Sequence, residues 1–173
     1  MFSIRRVYTF GFIVFAFSAF GQKPGEALFD KGYEAYDEGN YEDAIGYYTN
    51  AIDADPVNAS YFYYRGVCYS MLTENELSIV DFNSAIKLSA DYGDAYFERA
   101  YSYYVLEENE KALKDYGMAI KLIPDHGPAH LNRGSVKFDM DDLDGACLDW
   151  KKAVILHIEI AQELVNEYCP SKT

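Results

Sequence analysis

Basic residues are scarce in this chain: 15 Lys and Arg stand against 28 Asp and Glu, for a formal net charge of -13. Such an excess of acid repels phosphate backbones, and no compact basic patch offsets it. Nucleic acid is therefore excluded as a partner, and an anionic membrane surface is disfavoured. Cysteine is scarce too: Cys68, Cys147 and Cys169 are the complete set, and an odd count leaves at least one thiol free or paired between chains. No Gly-rich phosphate loop, no Ser or Cys nucleophile beside a matched base and no isolated carboxylate pair stands out, so the chain does not read as an enzyme and no cofactor is expected. No strand alternation and no low-complexity linker occurs. Aromatics, by contrast, are abundant at 17%, and 17 residues are Tyr, whose apolar ring and polar tip suit half-buried and interfacial positions.

The one long apolar run lies at the start. Arg5 and Arg6 precede an uncharged stretch from Val7 to Phe20, and Ala19-Phe20-Gly21 places small residues where a signal peptidase reads them. This predicts a secretory signal over residues 1–21, cut before Gln22, and hence an exported, periplasmic or extracellular protein with no stable membrane insertion after cleavage. An uncleaved anchor is the alternative, but the run is shorter than the ~20 residues that span a bilayer.

Beyond residue 21 the chain repeats itself at a fixed period. Arg65, Arg99 and Arg133 are evenly spaced, and Asp81, Asp115 and Asp149 keep the same interval, as do Ala51, Ala85, Ala119 and Ala153. A constant period of this length means stacked copies of one small unit. Four units follow, 25–58, 59–92, 93–126 and 127–157, each with two stretches of helical spacing split by a short polar turn. One further amphipathic helix over 158–168 would cap the last apolar edge. The fold class is therefore all-α, a right-handed solenoid. The second unit departs most: Ser78 and Ala90 replace an expected Ala and Pro, so its last helical turn is expected to run on.

Particular residues in these units resemble the tetratricopeptide repeat: Leu28, Gly32, Tyr36, Ala44, Tyr48, Ala51 and Pro56 in the first, with Gly66, Phe82 and Ala85, then Ala100, Tyr116, Ala119 and Pro124, then Gly134, Ala146, Trp150 and Ala153 in the others. The stretch from Gly145 to Trp150 and on to Tyr168-Cys169 is similar to the end of many exported bacterial members. Small residues let helices approach, and the large rings at 48, 82, 116 and 150 fill the space beside them.

The resemblance implies that the first helix of each unit lines a concave groove. The positions that usually point into it hold Phe29, Tyr33, Tyr36, Tyr63, Phe97, Tyr101, Tyr104, Leu131 and Phe138, with Glu26, Asp94 and Asp139 as acid at the rim. Packing between neighbouring helices would explain some of these rings, but eight aromatics exceed what packing requires, which points to a binding surface. A related family clamps acidic chaperone tails with Lys, Arg and Asn. The matching residues here are Phe29, Tyr33, Tyr64, Asp94 and Glu98, which cannot do so. The expected partner is a protein or peptide segment, neutral or basic. A glycan stacked on the rings, or self-assembly through an open end of the stack into a homo-oligomer, stays open.

The Arg65, Arg99 and Arg133 series and the Asp81, Asp115 and Asp149 series, held at one constant offset, predict an ion-pair ladder, inside a repeat or across to the next, that sets the register of the stack. Cys147 and Cys169 lie almost equally far to either side of His157. If the chain turns there they reach a common height and can bond; if one helix runs straight through, they stand ~33 Å apart. Cys68 reads as a small core residue. His126 and His130 are split from a shared helical turn by Gly127 and Pro128, and Asp139, Asp141, Asp142 and Asp144 lack the closing Glu of a calcium loop, so no metal is expected.

Overall fold

The structure is a computed structural model and describes residues 23–169. The expected signal segment, 1–21, lies outside the described residues. Within them the chain forms nine helices and no strand: α1 (Pro24–Asp37), α2 (Tyr41–Ala54), α3 (Ala59–Met71), α4 (Asn75–Leu88), α5 (Gly93–Val105), α6 (Asn109–Leu122), α7 (Gly127–Asp139), α8 (Leu143–Ile155) and α9 (Glu159–Tyr168).

Consecutive helices pack as hairpins, α1 on α2 through α7 on α8, and each hairpin packs on the next. The odd helices also touch one another in series, α1 with α3, α3 with α5 and α5 with α7, while the even helices fan apart. That asymmetry bends the stack, and the odd helices form its inner wall.

Each hairpin is clamped by one buried ring set against a residue with no bulk. A Cβ on Gly32 would sit 2.6 Å from the Tyr48 ring, one on Gly66 2.8 Å from Phe82 and one on Gly134 2.6 Å from Trp150. Ala100 serves in the third hairpin, beside the fully buried Tyr116. Ala51, Ala85, Ala119 and Ala153 are all fully buried. Burying one such ring stabilises by roughly 3 kcal/mol, which only close backbones make available.

The turns inside the hairpins repeat as well. Gly39, Thr73, Glu107 and Asp141 all take positive φ, between 60° and 78°. The next residue's N–H then returns to a carbonyl five residues back, as in Asn40 to Ala35, Glu74 to Tyr69 and Glu108 to Tyr103, each 2.8 Å. This is the left-handed helix ending that glycine usually supplies. Three of the four positions hold a residue with a side chain, at a cost of about 1 kcal/mol each.

The second unit does not run on as expected. Helix α4 ends at Leu88, where its equivalents end, although no proline follows. Ser89 is extended, with φ -139°, and its hydroxyl donates to Asp91 Oδ1 at 2.7 Å, so a side-chain bond replaces the proline as the stop.

The chain also reverses at His157, which has φ 62° and no glycine to help it. Ile158 N–H donates to Ala153 O at 3.0 Å, and the Ile158 side chain fills the space over Gly127, where a Cβ would meet it at 2.7 Å. Burial of Ile158 against α7 offsets the strained backbone. The reversal lays α9 back on α8, with Cys147 and Cys169 joined in a disulfide at a Cα–Cα distance of 5.7 Å. Cys68 is the free cysteine, fully buried, and burial pushes its thiol up to about 12, so it is no nucleophile.

Candidate functional site

The inner wall is built from α1, α3, α5 and α7. On it Tyr33 and Tyr101 are 46% and 43% exposed. Phe29, Tyr36, Tyr63, Phe97, Tyr104, Leu131 and Phe138 are half-buried. The eight aromatics therefore do not stand free in one trough, and packing claims more of them than the sequence suggests. Phe29 lies among Tyr48, Tyr61 and Tyr64 at centroid distances of 5.6, 5.3 and 5.3 Å. Phe97 rests on Tyr116 and His126, and Phe138 on Trp150 and Tyr168. The physical reason is curvature: on a concave wall neighbouring helices crowd inward, so rings projecting from one reach the next.

What remains open falls into two parts. Near the N-terminal end, Phe29, Asp30, Tyr33, Glu34 and Tyr64 line a shallow depression of about 440 Å³. Further along, Tyr63 meets Tyr64 edge-on and stacks on Tyr92 at 4.8 Å, and next to this group α5 presents Asp94 and Glu98, one helical turn apart. Tyr64 and Tyr92 are the aromatics that the groove positions omit. Tyr92 precedes α5 by one residue, and no helical period marks it.

Glu98 is mostly buried, and among the described residues no Lys, Arg or His is paired with it. Loss of solvation, with Asp94 close by, pushes its carboxyl up to about 7. Its charge in turn acts through space on the phenols of Tyr36, Tyr63 and Tyr116, on α1, α3 and α6. Asp139 accepts a hydrogen bond from Tyr104 Oη at 2.6 Å, and that bond, with burial, pushes the Tyr104 phenol up to about 12.

The ladder residues are brought together in all three units. Arg65 forks onto Asp81 with two bonds of 2.8 Å, Arg99 onto Asp115 at 2.6 and 2.9 Å, and Arg133 onto Asp149 at 2.9 and 2.6 Å. Each pair joins the two helices of one hairpin. Arg65 also donates to Thr49 on α2 at 3.0 Å and Arg99 to Asn83 on α4 at 2.5 Å, so a guanidinium bridges to the preceding hairpin as well. Burial works against ionised Asp149, but hydrogen bonds from Arg133 and Lys137 outweigh it and hold the carboxyl below its ordinary value.

His126 and His130 have separate partners. Nδ1 of His126 accepts from Ala129 N–H at 3.1 Å and its Nε2 faces Asp94 at 3.6 Å, whereas His130 lies between Asp149 and Pro124 O. Asp142 caps α8 by accepting from Gly145 N–H at 2.9 Å. Among the described residues no group of three His, Cys, Asp or Glu could hold a metal ion, and no helix is long and apolar enough to cross a membrane.

A family model described as tetratricopeptide repeat matches residues 29–79. The small glutamine-rich tetratricopeptide repeat-containing protein of Dictyostelium discoideum is 41% identical over 71 residues, 41% of this chain but 21% of that protein, so the chain spans about a fifth of this relative. Among solved structures, the crystal structure of MamA superposes with a TM-score of 0.75 at 26% identity, over 81% of this chain and 82% of that one. The first repeat domain of Spaghetti (RPAP3), solved with the HSP90 peptide SRMEEVD, gives 0.67 at 29% identity, over 68% and 93%.

Proposed function

We propose that this chain, a tetratricopeptide-repeat protein, is a non-catalytic scaffold that holds a peptide or protein segment against the inner wall of its odd-numbered helices. The observation that carries the reading is the pair Tyr33 and Tyr101, large rings left open on α1 and α5 where their neighbours are half-buried. Exposed rings on a preformed concave wall offer contact area at little entropic cost. A solved neighbour at 29% identity holds a peptide, which supports the same use of the fold here. The acidic wall disfavours an acidic segment of that kind and favours a neutral or basic one.

Titration of a labelled peptide, taken from a random dodecapeptide selection on the full-length chain, tests this. Binding is expected to weaken about tenfold in Tyr101→Ala and in Tyr33→Ala. Binding that both variants leave intact would overturn the reading. The same rings could stack a sugar face, so calorimetry with an oligosaccharide panel separates a glycan binder from a peptide binder.

Export belongs to the proposal. The run from Arg5 to Gly21 has the layout of a cleaved signal, and the Cys147–Cys169 bond suits an oxidising compartment. The N-terminal sequence of the protein recovered outside the cytoplasm would begin at Gln22; recovery with Met1 in place would contradict it.

A further inference from the structure

Charge is sorted across this molecule, and the sorting concerns the partner. Helices α3, α5 and α7 carry Arg65, Arg99, Arg133, Lys137 and His130 as their only basic side chains. Every one of them is engaged with an aspartate of the ladder: Arg65 with Asp81, Arg99 with Asp115, and the other three with Asp149, Lys137 at 2.8 Å. On α1 the one Lys, Lys31, lines a different depression with Glu34, Glu38 and Asp43. Among the described residues these helices leave no unpaired Lys or Arg to the middle of the groove, while three acids stand there: Asp94, 52% exposed, Glu98, and Asp139.

Glu98 is the unusual member. A carboxylate that is mostly buried without a counter-ion is costly, and proteins ordinarily pair it. Glu98 shares one face of α5 with Asp94, one turn earlier, and with the exposed ring of Tyr101, one turn later. Asp94 itself faces His126 Nε2 at 3.6 Å. Two carboxylates on the same helix face as an exposed ring suit a flexible cation, which gains charge pairing and ring contact together.

We propose that the groove takes a segment bearing a lysine or arginine, whose cationic end is received by Glu98 and Asp94 on the face of α5 that also presents Tyr101. This rests on the groove-binding reading above and names the chemistry of the occupant. The SRMEEVD peptide held by the solved neighbour carries two Glu, an Asp and a terminal carboxylate against a single Arg, so its net charge is negative and here it would meet like charge. The wall of this chain is selective for the opposite sign.

The test uses the full-length chain and random dodecapeptides displayed at neutral pH. Selected peptides are expected to share a Lys or Arg at a fixed position. Replacing it by Gln should weaken binding about tenfold in fluorescence anisotropy. Glu98→Gln, which keeps the shape, should weaken the parent peptide to the same degree and leave the Gln peptide unchanged. Asp94→Asn, on an exposed side chain, provides a second variant with little risk to folding. Peptides that lose affinity in Tyr101→Ala but carry no shared cation, or that ignore both acid substitutions, would overturn this inference and leave the groove standing. Peptides indifferent to Tyr101→Ala and to both acid variants would overturn the two together.

Discussion

Gly117 stands behind Arg133 where Thr49 stands behind Arg65. Nη1 of Arg65 donates to Thr49 Oγ1 at 3.0 Å, but Nη1 of Arg133 finds no side chain on Gly117 and lies 3.9 Å from where a Cβ would be. The third rung of the ladder thus holds its own hairpin and does not bridge back to the preceding one.

Restoring that bridge should stabilise the stack. Gly117→Ala is expected to gain about 1 kcal/mol from helix propensity alone. Gly117→Asn has poorer propensity than Ala but can accept from Arg133 as Asn83 does from Arg99, a charge-assisted bond of about 1 kcal/mol or more. Urea unfolding should therefore place Asn level with or above Ala. Asn clearly below Ala would show that no bond forms.

The ladder pairs should differ sharply from pairs in solvent. Asp115→Ala leaves the Arg99 guanidinium mostly buried without its counter-ion and is expected to cost about 3 kcal/mol. Glu108→Ala, which removes the exposed partner of Lys111, should cost less than about 1 kcal/mol. Equal losses in thermal unfolding would contradict the ladder as the element that fixes register.

Glu98 gives the protein a pH dependence of definite sign. An unfolded chain releases this proton near the ordinary glutamate value, about 4.5, whereas the folded chain holds it to about 7. Between those values the folded state binds more protons, so stability falls as pH rises through the window, on the order of 3 kcal/mol in all. The phenols on which its charge acts, Tyr36, Tyr63 and Tyr116, are all pushed up and stay neutral in that window. Glu98→Gln should therefore stabilise the free chain at pH 7.5 and do little at pH 4.5. Parallel stability curves would refute the assignment.

The last helix should be held by its crosslink. The bond between Cys147 and Cys169 closes a 22-residue separation, and its loss in Cys169→Ser is expected to cost about 3 kcal/mol. Trp150 is the one tryptophan and lies 6.1 Å from Tyr168 on α9, so detachment of α9 would shift its emission to the red. Unchanged stability and emission after reduction would show that packing alone holds α9.

The fold was legible because a constant period places a small residue and a large ring opposite each other in every hairpin, as at Gly32 with Tyr48 and Gly134 with Trp150. Local glycine and proline rules were weaker guides. His157 turns the chain with neither, because Ile158 finds room over Gly127, a contact between residues far apart in sequence. Groove positions indicate direction, not exposure: Tyr33 and Phe29 share α1, yet Phe29 is enclosed by three rings from other helices. Glu98 reads in the sequence merely as the wrong charge for a carboxylate clamp. Its burial is set by the helices that pack on α5, which no local pattern records.

Hydrogen exchange of the full-length chain with and without the selected peptide tests the inner wall most directly. Slowed exchange is expected in α1, α3 and α5, around Tyr33, Tyr63 and Tyr101, with α2, α4 and α6 unchanged. Protection confined to the even-numbered helices, or none at saturating peptide, would contradict the account.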